Sequence, residues 1–245
     1  MAMRVRALMI LAGLVLAGCS MPPLSPAPTP PAQAPAPQPV AASEVAFEIP
    51  RNPRAIQRAF VEVIDRVEPV AEAECRRVTP GRNCDFLIVV DDRIDQPANA
   101  FQTIDRTGRP VIGFTVALIA DARNRDELAF VMAHEAAHHI AGHIERQQRN
   151  ATLGAIVFGQ LAGATGSDVG VAQEFGAALG ARSYSKEFEL EADRLGAIVA
   201  AKAGFDPLRG AAFFFRVPDP GDRFLGTHPA NADRIAAVQQ VAAGL

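Results

Sequence analysis

Apolar and polar positions alternate along this chain with two different periods. From Asn52 to about Glu74, Ile56, Phe60, Val63, Ile64 and Val67 recur at the spacing of one helical face, and the spacing predicts a helix. Phe86-Leu-Ile-Val-Val90 and Arg109 to Val116 are short β-rich runs, and Asp105-Arg-Thr-Gly108 between them has turn composition. A second helix is expected from Asn124 or Asp126 to about Gln148. Asn150 to Ala181 is rich in Gly and Ala, with one apolar patch at Ile156, Val157, Phe158 and Leu161; Gly166-Ser-Asp168 interrupts it, so it does not read as a membrane span. Further helices are expected over Ser185 to Ala203, stopping at Gly204, and from Pro229, with Ile235, Val238 and Ala242 on one face. Helices therefore dominate, with little strand.

The N-terminal fifth follows neither period. Arg4 and Arg6 precede an uncharged run from Ala7 to Ala17, too short to span a bilayer but suited to an export signal. The run ends in Leu16-Ala17-Gly18-Cys19, which resembles a bacterial lipobox, in which the Cys is acylated and becomes the mature N-terminus. An ordinary signal peptide that contains a Cys is the alternative. Ser20 follows, where lipoprotein signals for inner-membrane retention carry Asp, so the resemblance implies the periplasmic face of the outer membrane. Nine of the 19 prolines lie between Pro22 and Pro39, a composition that favours extended polyproline conformations over a packed core. At ~3.1 Å per residue this spacer reaches roughly 70 Å. The expected organisation is a lipoprotein signal peptide over 1–18, the lipidated Cys19 and a Pro/Ala-rich linker over 19–43, and one catalytic domain over 44–245.

Composition narrows the classes. Of 245 residues, 49% are hydrophobic and 21% charged, with a net charge of −3, one Tyr and no Trp. Neither a basic stripe nor a base-stacking platform is present, so no nucleic-acid partner is expected. Cys75 and Cys84 flank a Pro-Gly turn. In an oxidising compartment they read as a disulfide, with free buried thiols as the alternative.

The chemistry concentrates in His134-Glu135-Ala136-Ala137-His138-His139, inside an otherwise apolar stretch. Polar groups taken from water without partners cost several kcal/mol, so a metal or a hydrogen-bond network must compensate them. On a helix, His134 and His138 share one face and can converge on one ion, while Glu135 projects ~100° round the axis toward a polarised water. That division suits metal-assisted peptide hydrolysis, with zinc as Lewis acid and Glu135 as base. A third ligand is needed. The pattern in which it follows on the same helix would require Gly at 141 and His at 144, where this chain has Ala141 and Ile144. On the expected continuous helix His143 lies half a turn from His134 and serves the fold. In Ser185 to Ala200, helical projection puts Glu189 and Asp193 on a face with Ala192, Gly196, Ala197 and Ala200. Glu187 and Glu191 fall on the opposite side with Arg194 and Lys202, a solvated, ion-paired face. Glu189 is thus the expected third ligand, and Asp193 the group that orients a ligand histidine.

Taken together, HEAAH, SKEFELEAD and THPANADRI resemble, in order, the motifs of the HtpX/BepA and CAAX-endopeptidase family of gluzincin metallopeptidases (metallopeptidase family forty-eight). The resemblance covers about 52–242. It implies an α+β fold, mainly α with a small β-sheet, in which two motif helices clasp one zinc ion per chain. It implies Glu135 as catalytic base and places His228 near the active site, with Arg234 following it. Ala136-Ala137 and His139-Ile140 depart from the commoner continuation, and without membrane spans the chain is closest to the periplasmic, lipid-anchored branch. The expected function is a zinc endopeptidase acting on protein or peptide substrates, such as misfolded or misassembled envelope proteins, and tethered to outer-membrane lipid through Cys19. A non-proteolytic, chaperone-like assembly factor on the same fold is the alternative.

Overall fold

A computed structural model describes residues 48–182, 185–216, 218 and 229–245. The leader, Cys19 and the linker expected over 1–43 lie outside the described residues, as does His228. The first helix, α1 (Pro53–Val78), opens on Asn52, whose side chain accepts from the Ala55 amide, with Pro53 in the first turn where its missing N–H is harmless. Its buried face, built around Ala59, Phe60, Val63, Val67 and Ala71, follows the apolar period of the sequence. In its last turn Cys75 is joined by a disulfide to Cys84, which lies beyond the helix, with Cα atoms 5.8 Å apart.

Three strands follow: β1 (Leu87–Asp91), β2 (Ala100–Ile104) and β3 (Pro110–Thr115). The order is β1-β3-β2, with β3 parallel to β1 and antiparallel to β2. All six residues of β3 are buried, as its central place demands. The Asp105–Gly108 turn joins β2 to β3, and the Asp105 carboxylate accepts from the Thr107 and Arg109 amides. The sequence pattern alone omits β2. Ala-Phe-Gln-Thr-Ile is short and only half-buried, and its pairing with β3 makes it a strand.

The chain continues through α2 (Val116–Asp121), α3 (Arg125–Ile140), α4 (His143–Thr165), α5 (Val169–Arg182) and α6 (Ser185–Lys202). After these come α7 (Pro207–Ala211), a 3-10 turn at Ala212–Phe215, and α8 (Asn231–Ala242). The helix expected to run to Gln148 is in fact two. Gly142 takes a left-handed conformation, φ 67°, which ends α3 and starts α4 in a new direction. The Gly/Ala-rich stretch forms the antiparallel pair α4–α5. Among the described residues no helix is long and apolar enough to cross a membrane.

The central helix is α3, packed on α1, α6, α7 and β2. Leu128 and Met132 join Phe60, Val63, Val67, Phe86, Ile112, Phe114 and Val199 in one core, while Phe130 anchors a second with Ala197, Ala211, Phe214 and Val238. Gly196 sets the spacing of α6 against α3: a Cβ there would stand 2.9 Å from the backbone N of His134. The two motif helices are thus in backbone contact at the point where the chemistry lies.

Candidate active site

Asn124 caps α3 by accepting from the Glu127 amide, and the fully buried Glu127 carboxylate accepts from the Arg123 amide and from both terminal nitrogens of Arg216. The helix start is therefore anchored, and the phase of the residues two turns on is set. His134 and His138 emerge on one face with their Nε2 atoms 3.0 Å apart. From α6, Glu189 comes in opposite: Oε2 lies 3.5 Å from His134 Nε2, and Oε1 lies 3.4 Å from His138 Nε2.

These three donors fit a metal. Bonds of 2.0–2.1 Å at tetrahedral angles require donors about 3.3 Å apart, which the three separations bracket. All three ligand atoms lie within 4.8 Å of one another. Glu135 lines the cleft beside them, a space of about 610 Å³ bounded also by Asn99 to Gln102, Val131, Phe188, Phe213 and Arg216.

The Asp193 carboxylate, fully buried, sits 2.9 Å from His134 Nδ1. It also accepts from Arg234 Nε at 2.8 Å and from a terminal nitrogen at 2.7 Å. Burial alone would raise the Asp193 pKa, but the bonds from His134 and Arg234 hold it lowered. Arg234, from α8, stacks on Phe214 at 3.7 Å and reaches within 3.4 Å of Glu189 Oε2. The last helix thus closes the site from behind.

Burial opposes a proton on His134, but the bonds to Asp193 and Glu189 outweigh it and raise its pKa to about 10. For His138, burial and the neighbouring His134 charge act together and lower the value to about 3. A cation entering between the two Nε2 atoms needs a lone pair on each, so its binding is opposed by any proton held on His134 Nε2.

Two residues have roles that the periodic reading did not assign. Because α3 ends at Ile140, His143 is not half a turn away on the same helix: the Gly142 kink swings it back, with its Nδ1 2.8 Å from His138 Nδ1. Nor does Glu191 belong to a wholly solvated face. It is half-buried, 3.2 Å from His143 Nε2 and 2.6 Å from Arg146. Lys202, placed on that same face, reaches across to Glu74 of α1. Only the glycine at 142 hinted at the change of direction.

A family model described as "Peptidase family M48" matches residues 58–242. The chain belongs to that family. As a member of peptidase family M48 it is a metallopeptidase of gluzincin type, its His134, His138 and Glu189 donors arrayed on two packed helices. Among curated proteins it is similar to a putative beta-barrel assembly-enhancing protease of Vibrio cholerae serotype O1, 37% identical over 135 residues, 48% of this chain and 28% of that one. It is also similar to the beta-barrel assembly-enhancing proteases of Escherichia coli, 32% over 136 residues, and Yersinia pestis, 34% over 142. Each of these two matches covers 49% of this chain and 28% of the relative. The matched part of the chain thus spans little more than a quarter of the length of these relatives.

Proposed function

We propose that this M48 peptidase is a zinc-dependent endopeptidase that cleaves unfolded or misassembled outer-membrane polypeptides, held at the periplasmic face of the outer membrane by an acylated Cys19. The observation that carries the reading is the convergence of His134, His138 and Glu189 at tetrahedral spacing beside Glu135, on the wall of a cleft of about 610 Å³. The relatives' names, which speak of β-barrel assembly, support the choice of substrate class. The Ala17-Gly18-Cys19 sequence supports the address.

His134 and His138 would hold the zinc ion through Nε2, and Glu189 through its carboxylate. When bound, zinc polarises the scissile carbonyl and acidifies water. The protein's own groups do the rest. Glu135 accepts a proton from the attacking water at a carboxylate oxygen and delivers it to the leaving amide nitrogen. Asp193, fixed by Arg234, keeps the His134 proton on Nδ1, so that its Nε2 lone pair faces the site. Among the described residues β2 is an edge strand that lines the cleft, and its outer edge can pair with an extended substrate backbone, independently of side-chain sequence. Phe101 and Phe188 supply apolar surface for the side chains.

The test is cleavage of a denatured β-barrel protein by the full chain. Activity should vanish on chelation and return with stoichiometric zinc. Cleavage that persists in the chelated, metal-free protein would sink the reading.

A further inference from the structure

We propose that His143 and Glu191 form an orienting chain for His138, so that each zinc-binding histidine has its own carboxylate-terminated support; this rests on the metal-site reading above. The two imidazoles need the same thing. To offer Nε2 to a cation, each must carry its proton on Nδ1, and that N–H must find an acceptor in a nearly dry site. For His134 the acceptor is the Asp193 carboxylate. His138 Nδ1 faces a second ring, with His143 Nδ1 2.8 Å away.

One assignment of protons satisfies the whole chain. His138 Nδ1–H donates to the Nδ1 lone pair of His143. His143, neutral, must then carry its proton on Nε2, where the Glu191 carboxylate accepts it at 3.2 Å. The reverse assignment, with His143 Nδ1–H donating to His138 Nδ1, would set a His143 Nε2 lone pair against the Glu191 carboxylate and put the His138 proton on Nε2, where the cation must bind. The other two arrangements of neutral rings set two N–H groups, or two lone pairs, against each other at 2.8 Å. The chain is held in place at both ends. The Glu191 carboxylate also accepts from Arg146, and the His143 ring stacks on Phe188 with centroids 4.6 Å apart and planes 11° from parallel. The His143 side chain is 5% exposed, so water does not readily replace its partners.

The two supports differ in origin. Asp193 acts directly from α6, one turn beyond Glu189. On the His138 side the α6 carboxylate two residues beyond Glu189 projects the other way round the helix. It reaches the site only through His143, which the Gly142 kink brings to meet it. His143 and Glu191 are positioning residues: neither belongs to the donor group of His134, His138 and Glu189, and they set the tautomer and pose of a ligand that does.

The experiment measures zinc affinity of the full chain by competition with a chromophoric chelator, alongside the melting temperature of the metal-free protein. Wild type is compared with His143→Leu and His143→Asn. An Asn side-chain oxygen can take the place of the ring Nδ1 as acceptor, whereas Leu fills the space and accepts nothing. His143→Leu should bind zinc about 10–100-fold more weakly, the usual cost of losing a group that orients a ligand. His143→Asn should stay within a few-fold of wild type, with the two metal-free variants melting together. Wild-type affinity in the Leu variant would overturn the proposal. So would an equal loss in both variants that tracks melting temperature, since that marks a role in folding alone. A wild-type protein that takes up no stoichiometric zinc would instead overturn the metal reading itself, and the proposal with it.

Discussion

At the scale of single residues, the site separates acidic groups by what each one faces. Glu189 meets two imidazole nitrogens at 3.4–3.5 Å, Asp193 meets one imidazole N–H and a guanidinium, and Glu135 meets the cleft. The Glu189 carboxylate is the only charged donor of the three, and an amide is a far poorer ligand. Glu189→Gln is therefore expected to lose zinc during purification, as read by metal analysis, while keeping the wild-type circular dichroism spectrum. Asp193→Asn puts an amide against His134 Nδ1 and takes the counter-charge from Arg234. It should retain the metal but bind it ~10–100-fold more weakly in chelator competition. If both variants stayed fully loaded, the donor set would have to be sought elsewhere.

At the scale of elements, close approach of α6 to α3 makes the cluster possible, and small residues provide it. Adding one methyl at Gly196 would push against the His134 backbone rather than a flexible side chain. Gly196→Ala should cost about 1–3 kcal/mol in denaturant unfolding, the range for overpacking a tight core, and should weaken zinc binding with it. A neutral effect on both would show that the helices can part without loss. The small-residue stripe is also what made the phase of α6 legible. Ala192, Gly196, Ala197 and Ala200 mark the packed face, and Glu189 and Asp193 follow from it by helical geometry alone. The end of α3 was not legible in the same way. The run after His138, His139-Ile-Ala-Gly-His-Ile144, holds no proline and no cluster of turn residues, and only the left-handed φ at Gly142 turns the chain. With that turn hidden, His143 and Glu191 projected away from the site. β2 escaped notice for a different reason: a five-residue edge strand has half-buried side chains and takes its identity from its neighbour.

At the scale of the whole molecule, charge pairs tie the outer helices to the centre. Glu74 of α1 is buried between Arg77 and Lys202 of α6. The Arg77 bond is the main cause of its depressed pKa, burial opposes it, and Lys202 adds to the lowering, to about 2 from an ordinary 4.5. A carboxylate whose folded pKa is depressed contributes stability that is complete above its unfolded value and is lost as pH falls from there toward its folded value. Glu74→Gln should therefore melt below wild type at pH 7, with the gap closing between about pH 4.5 and 2. A gap that stays constant over that range would assign the loss to packing rather than to charge.

The central claim is that this fold assembles a hydrolytic metal site in which Glu135 handles protons and takes no part in holding the ion. Glu135→Gln separates those roles, because an amide occupies the same space but cannot accept the water's proton. Zinc content and cleavage of an unfolded protein are measured on the same preparation of this variant. One zinc per chain with cleavage abolished is the predicted result. Cleavage at the wild-type rate, or loss of zinc in step with activity, would contradict it.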